Sequence, residues 1–161
     1  MLYLLLAAVL VAVDQIVKVL VRLNIGLGEQ LPFLPHVLGL TYAQNTGAAF
    51  SMLEEHPWIL TLISLAASIL LLILILRRTF PGVWPMCSLA LVLAGAVGNL
   101  IDRAFLGYVT DMFQTLFMTF PIFNVADICI VCGGISFVVY YLFFGDKDKK
   151  EDGHDATGTE G

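Results

Sequence analysis

Charge is the scarcest ingredient of this sequence: Asp, Glu, Lys and Arg make up 13% of its 161 residues, while 59% are hydrophobic. Together with a mean hydropathy of +0.91, that excludes an ordinary water-soluble domain, because so short a chain could not cover its apolar groups. Basic stripes are missing too, so no nucleic acid is expected as a partner. The net charge of −5 does not describe an acidic body either, since six of the 13 acids (Asp146, Asp148, Glu151, Asp152, Asp155, Glu160) crowd the C-terminal stretch. Cysteine is sparse and odd in number, which argues against a disulfide framework. Cys87, Cys129 and Cys132 all fall in apolar runs. The Cys129-Ile-Val-Cys132 string has no companion ligands and reads as small apolar side chains rather than a redox or zinc motif. No HExxH string is present, His36, His56 and His154 are scattered, and no metal or cofactor is expected. A cleavable leader is also missing its marks. No basic stretch precedes Met1–Val13 and no small-residue cleavage site follows, so the run through Asp14 and Lys18 to Leu23 reads as a retained helix.

What the chain has in quantity is long apolar runs. About 20 residues of helix cross the ~30 Å hydrocarbon layer. Four segments qualify, approximately 2–21, 57–76, 84–101 and 122–144. The expected fold is therefore an all-α membrane protein of four transmembrane helices, residues 1–144, followed by a polar tail, 145–161, whose composition predicts disorder. Arg77 and Arg78 crowd the short second loop and Lys147, Lys149 and Lys150 flank the fourth helix. By the positive-inside rule this places both termini in the cytoplasm and the two longer loops outside. Leu38–Ala43 in the first outer loop is β-prone, predicting a small extracytoplasmic β element. The second, Tyr108–Phe123, is apolar with Phe113, Phe117, Phe120 and Phe123, and is expected as a loop or short helix against the membrane surface.

A charge at membrane depth costs at least ~2.5 kcal/mol, so each one needs a reason. At about 1.5 Å per residue, Asp14 lies roughly 20 Å above the inner face, and Asn99 and Asp102 roughly 22 to 27 Å above it. Asn124 and Asp127 enter just below the outer surface. Three helices thus carry their polar groups in one outer layer. Asp14, Lys18 and Arg22 share a helix face at i, i+4, i+8, which allows an internal Asp14–Lys18 ion pair, with Lys18 and Arg22 also able to reach the outer headgroups. Gly95, Asn99 and Asp102 share a face of the third helix, where Ala94, Gly95, Ala96 and Gly98 permit close helix packing.

Converging carboxylates suit proton chemistry. Two of them within a few ångströms do not readily ionise together and share one proton. The ionised one can then take a proton from water while the other hydrogen-bonds a scissile carbonyl. By helix position alone, the pair would be Asp102 and Asp127. A Ser–Lys dyad would need a serine beside Lys18, and Ser51 is the nearest candidate. A proton-coupled transporter would spread its acids through the membrane, whereas the inner half of every helix here has none. A non-catalytic lipopeptide-binding scaffold is the other alternative.

At these residues the chain resembles the lipoprotein signal peptidases, the type II signal peptidase family. Five strings carry the likeness: Asp14-Gln-Ile-Val-Lys18, Asn45-Thr-Gly-Ala-Ala-Phe-Ser51, Gly98-Asn-Leu-Ile-Asp-Arg103, Val109-Thr-Asp-Met-Phe113 and Phe123-Asn-Val-Ala-Asp127. The resemblance implies an aspartic endopeptidase of the bacterial cytoplasmic membrane with its site at the outer face. It also implies a diacylglyceryl prolipoprotein substrate, cut on the amino side of the lipidated cysteine, membrane lipid as the surroundings, and inhibition by the lipopeptide globomycin. It makes Asp111 and Asp127 the catalytic pair, in place of Asp102 and Asp127. Asp14, Lys18, Asn45, Asn99, Arg103 and Asn124 become supporting or substrate-binding residues, and Asp102 orients Arg103 and its neighbours. Read without the resemblance, Asp102 is equally a salt-bridged helix end, Asn45 a turn former and Asp127 a satisfied buried acid.

Overall fold

A computed structural model describes residues 1–47 and 57–144. Ser51, His56 and the tail 145–161 lie outside the described residues. The helices are α1 (Leu2–Asn24), α2 (Pro57–Leu76), α3 (Val83–Leu106) and α4 (Val125–Phe143). All four are long and apolar enough to cross a membrane. Large apolar side chains such as Leu5, Ile16, Leu62, Ile69, Val131 and Ile135 stand exposed along them, as a lipid solvent requires.

α3 is the central helix. In its most apolar window 61% of residues are buried, against 22%, 17% and 22% in α1, α2 and α4. Its small residues permit this. An ideal Cβ on Gly98 would stand 2.6 Å from the Asp14 carboxylate, and one on Gly95 would overlap the Ala126 carbonyl oxygen of α4. Gly133 does the same for α4, where a Cβ would come within 2.7 Å of the Ser88 carbonyl. The three glycines let α1, α3 and α4 approach backbone to side chain, and so bring their polar layers into contact. The ends of the helices away from the polar layer are filled by apolar packing of Ala7, Ile75, Met86, Leu89, Ala90, Leu93 and Ala94.

The region outside the four helices departs from expectation. It is a three-stranded antiparallel sheet in the order β1 (Gln30–Leu34), β2 (Leu38–Asn45), β3 (Val109–Thr115). β2 contains the expected Leu38–Ala43 segment, but β3 takes the first part of Tyr108–Phe123, expected as a loop or short helix, and only residues 116–122 remain a loop. The reason is backbone hydrogen bonding. Val109, Thr110, Asp111 and Met112 are all buried, and buried N–H and C=O groups need partners. β2 supplies them along one edge, with Ala43 opposite Asp111 and Asn45 opposite Val109. Phe123 closes the other edge, exchanging bonds of 2.8 and 3.1 Å with Phe113. Two boundaries move accordingly. α3 runs beyond Ile101 to Leu106 and stops at Gly107, which takes the left-handed conformation (φ 79°) that turns the chain into β3. α4 begins at Val125 rather than Ile122, because Phe123 is held by the sheet and Asn124 caps the helix.

The packing makes a comparison of two glycines decisive. Gly95→Ala should lower the unfolding temperature in detergent by the equivalent of about 1–3 kcal/mol, the usual cost of overpacking. Gly134→Ala should not, since nothing lies within 4 Å of its added methyl. Equal unfolding temperatures for the two variants would contradict this account of α3.

Candidate active site

The polar layer is organised from α1. Lys18 and Asp14 sit one helical turn apart, their charged atoms 2.9 Å apart, and both are essentially inaccessible to solvent. Lys18 does not reach for the headgroups. Its ammonium also donates to the Asn99 side-chain oxygen at 2.9 Å and to the Gly98 carbonyl at 3.4 Å, with Asp102 at 3.5 Å. The free oxygen of Asp14 accepts the Ala126 N–H at 2.9 Å, tying α1 to the first turn of α4. Arg22 turns inward as well, donating to the Thr110 hydroxyl at 2.8 Å.

An ammonium can only donate, and that fixes the orientation of every amide downstream. Since the oxygen of Asn99 faces Lys18, its NH₂ faces outward and donates to Asp127 Oδ1 at 2.8 Å. The Asn99 oxygen also takes the Asn124 NH₂ at 3.1 Å, and the same NH₂ donates to Asp111 Oδ1 at 2.6 Å. Asn124 Oδ1 accepts the Asp127 N–H at 2.9 Å and Asp127 Oδ2 accepts the Asn124 N–H at 3.1 Å, a reciprocal capping box on α4. From β2, Asn45 donates to Asp111 Oδ2 at 2.9 Å, and its own oxygen takes the Gly47 N–H at 3.0 Å. Asn45 is thus both turn former and carboxylate donor.

The four carboxylates of this layer fall into two kinds. Asp14 and Asp102 are ion-paired. Among the described residues, Asp111 and Asp127 have no such cation and are held by amides alone. Both line one cavity of about 660 Å³ between α2 and α4, floored by α3 and roofed by the segment leading into α4. Its other polar lining is Asn45, Ser64, Asn99 and Arg103, and the remainder is nearly all apolar. Burial pushes the Asp111 carboxyl from its ordinary 3.8 up to about 6; Asn45 and Asn124 work against the rise, and the charge of Asp127 adds to it. The fold therefore favours neutral Asp111. That contribution is complete below an ordinary aspartate's range and is lost as pH rises through about 6.

Asp102 corrects the pairing suggested by helix position. It faces away from the cavity, accepting the Thr110 N–H at 2.8 Å and approaching Gln15, Lys18 and Arg22. It also does not hold Arg103 as foreseen. Arg103 lies in the cavity wall and its guanidinium donates to the Ser64 hydroxyl at 3.3 Å. Thr110, Gln15 and Ser64 were not singled out in the sequence. Gln15 and Thr110 lie inside two of the quoted strings without a role of their own, and Ser64 is one of three hydroxyl residues (Thr61, Ser64, Ser68) at helical spacing on the otherwise apolar α2. Lys18 is committed to Asp14 and Asn99, which leaves it poorly placed to activate a serine.

A family model described as signal peptidase (SPase) II matches residues 6–144. A lipoprotein signal peptidase of Enterococcus faecalis is 46% identical over 149 residues, spanning 92% of this chain and 92% of its own length. One from Streptococcus pyogenes is 40% identical over 130 residues, 81% of this chain and 86% of its own. Two solved bacterial membrane enzymes superpose with TM-scores of 0.81 and 0.80, at 27% and 29% identity. They cover 99% and 88% of this chain and 93% of each of theirs.

Lys18→Met leaves Asp14 buried without its cation and should destabilise the protein by about 3–5 kcal/mol, read as a lower unfolding temperature in detergent. Adding Asp14→Asn should recover most of that loss. A single variant as stable as wild type would remove Lys18 from its organising position.

Proposed function

The chain belongs to the signal peptidase II family, and from that premise we propose an aspartic mechanism in which Asp111 and Asp127 share one proton and act together on the scissile bond. The family membership and the four membrane-length helices make it a multi-pass membrane protease that removes signal peptides from prolipoproteins. The observation that carries the aspartic reading is the sorting of carboxylates. Of four in one polar layer, the two that face the cavity are the two left without cations among the described residues. A cation would hold a carboxylate ionised, whereas a buried amide-held pair can keep a proton between them.

In this mechanism the ionised member takes a proton from a water molecule as its oxygen attacks the scissile carbonyl carbon. The protonated member hydrogen-bonds the carbonyl oxygen as negative charge develops there. Collapse of the tetrahedral species breaks the C–N bond, and a carboxyl proton passes to the departing amine. Asn45, Asn99 and Asn124 hold the carboxyl groups in register, so little reorganisation accompanies the transfer.

The cavity wall suits an apolar substrate. Ile63, Leu71, Val92 and Val131 offer a surface for a signal peptide or an acyl chain. We assign the substrate as a diacylglyceryl prolipoprotein cut on the amino side of its lipidated cysteine, with globomycin competing for the same groove. The Lys and Arg distribution supports the cytoplasmic membrane with both termini inside, which sets the carboxyl pair at the outer face. Residues 1–144 form the peptidase unit in this reading.

Purified protein in detergent should cleave a diacylglyceryl prolipoprotein. Asp111→Asn and Asp127→Asn should each lower the rate by about 10²–10⁴-fold or more while unfolding at a near-native temperature. Full activity in either variant would remove the pair, and a wild type that binds substrate without cutting would make the chain a scaffold.

The dependence on pH follows from the raised Asp111 carboxyl. Below the lower apparent pKa no base remains, and above the upper one no acid remains. kcat/KM should therefore fall on both sides of an optimum, the alkaline limb setting in above about pH 6. A rate that climbs steadily through the alkaline range is incompatible with a shared proton.

A further inference from the structure

Arg103 poses an electrostatic problem. Its guanidinium shares the cavity wall with Asp111 and Asp127, two carboxyl groups that need one proton between them if they are to act as described. Opposite charges in a low-dielectric wall attract strongly, and an arginine fork matches a carboxylate well. Were it to close on either one, that carboxylate would be held ionised and the shared proton lost. Yet among the described residues Arg103 forms an ion pair with neither. It donates instead across the cavity to α2, to the Ser64 hydroxyl at 3.3 Å. Ser64 lies one turn before the buried Ser68, whose hydroxyl donates to the Ser64 carbonyl oxygen at 2.7 Å within α2 and leaves the Ser64 hydroxyl to Arg103.

We propose that Ser64 is a positioning residue that holds the Arg103 guanidinium on the α2 side of the cavity, off the carboxyl pair and facing the space a substrate occupies. The proposal rests on the aspartic reading above. It gives α2, which supplies no ionisable side chain to the cavity, a part in setting the protonation of the site. It also leaves beside the cavity a cation without an ion-pair partner among the described residues, able to meet substrate oxygens such as those of a peptide backbone or an ester-linked glyceryl group.

The other charged and titratable groups around the pair are accounted for among the described residues. Asp14, Lys18 and Arg22 of α1 are bound to one another's neighbours, to Asn99 and to Thr110. Asp102 of α3 is held by Thr110 and Lys18. On α4 the thiol of Cys132 lines the cavity and that of Cys129 is buried. Arg103 is therefore the charge, among the described residues, that lines the cavity with only a neutral hydroxyl partner and whose position can move the titration of the pair.

The test is the pH profile of kcat/KM on a diacylglyceryl prolipoprotein for Ser64→Ala, Ser64→Cys and Ser64→Thr. With the hydroxyl removed, the guanidinium closes on the pair, and the alkaline limb should move to lower pH by on the order of 1 unit. Ser64→Cys, close to serine in size but a poor acceptor, should shift it the same way and guards against a folding defect in the alanine variant. Ser64→Thr, which keeps the hydroxyl, should restore the wild-type limb. A lower rate with an unmoved limb in both Ser64→Ala and Ser64→Cys would make Ser64 a packing residue and overturn the proposal. Asp111→Asn or Asp127→Asn retaining full activity would instead overturn the aspartic reading, so the two failures are distinguishable.

Discussion

A lysine ammonium with no access to solvent sets the terms for everything around it. Lys18 is wholly buried at membrane depth, where an unpaired cation is not tolerable, so Asp14 must stand beside it and Asn99 must turn its oxygen toward it. The consequences run outward in one direction. The Asn99 NH₂ is left for Asp127, the Asn124 NH₂ finds Asn99 and Asp111, and the Asn124 oxygen caps the Asp127 N–H. No buried side-chain polar atom among the described residues lacks a partner. In a low-dielectric site, a fully satisfied network of this kind permits few alternative arrangements.

That network separates ion-paired acids from those held by amides alone. Asp14 and Asp102 accept the cations and backbone N–H groups that lock α1, α3, β3 and α4 together. Asp111 and Asp127 receive only amide donors and face the cavity. The distinction matters because a carboxylate paired with a cation is a weak base and no acid at all at neutral pH. The same apolar surroundings that make the lysine demand a partner also raise Asp111, so scaffold and chemistry draw on one property of the site.

Much of this was legible in the chain itself. Hydropathy gives four spans, and counting residues along them places Asp14, Asn99, Asp102, Asn124 and Asp127 in one layer. The small residues of α3 announce its central place. What spacing misjudged was Asp102, because a helical wheel says which face a residue occupies but not which neighbour claims it. Thr110 claims it, from a strand that composition presented as an apolar surface segment. Ser64 was faint for a related reason: one of three hydroxyl residues on an apolar helix carries no assignment until an arginine from another helix is found against it.

Periodicity and solvent preference are properties of a chain read in one dimension, and they determined the helices, the membrane and the depth of each polar group. They could not determine that Asp111 and Asp127 line the same cavity. One lies on a strand and the other on a helix, and the register that joins them is set by β2 on one side of Val109–Thr115 and Phe123 on the other. The cavity, the partition of four acids into two pairs and the stance of Arg103 also belong to the tertiary structure. Each depends on which donors surround a carboxylate in space, and those donors come from α1, β2, α2 and α4, segments that no local pattern relates.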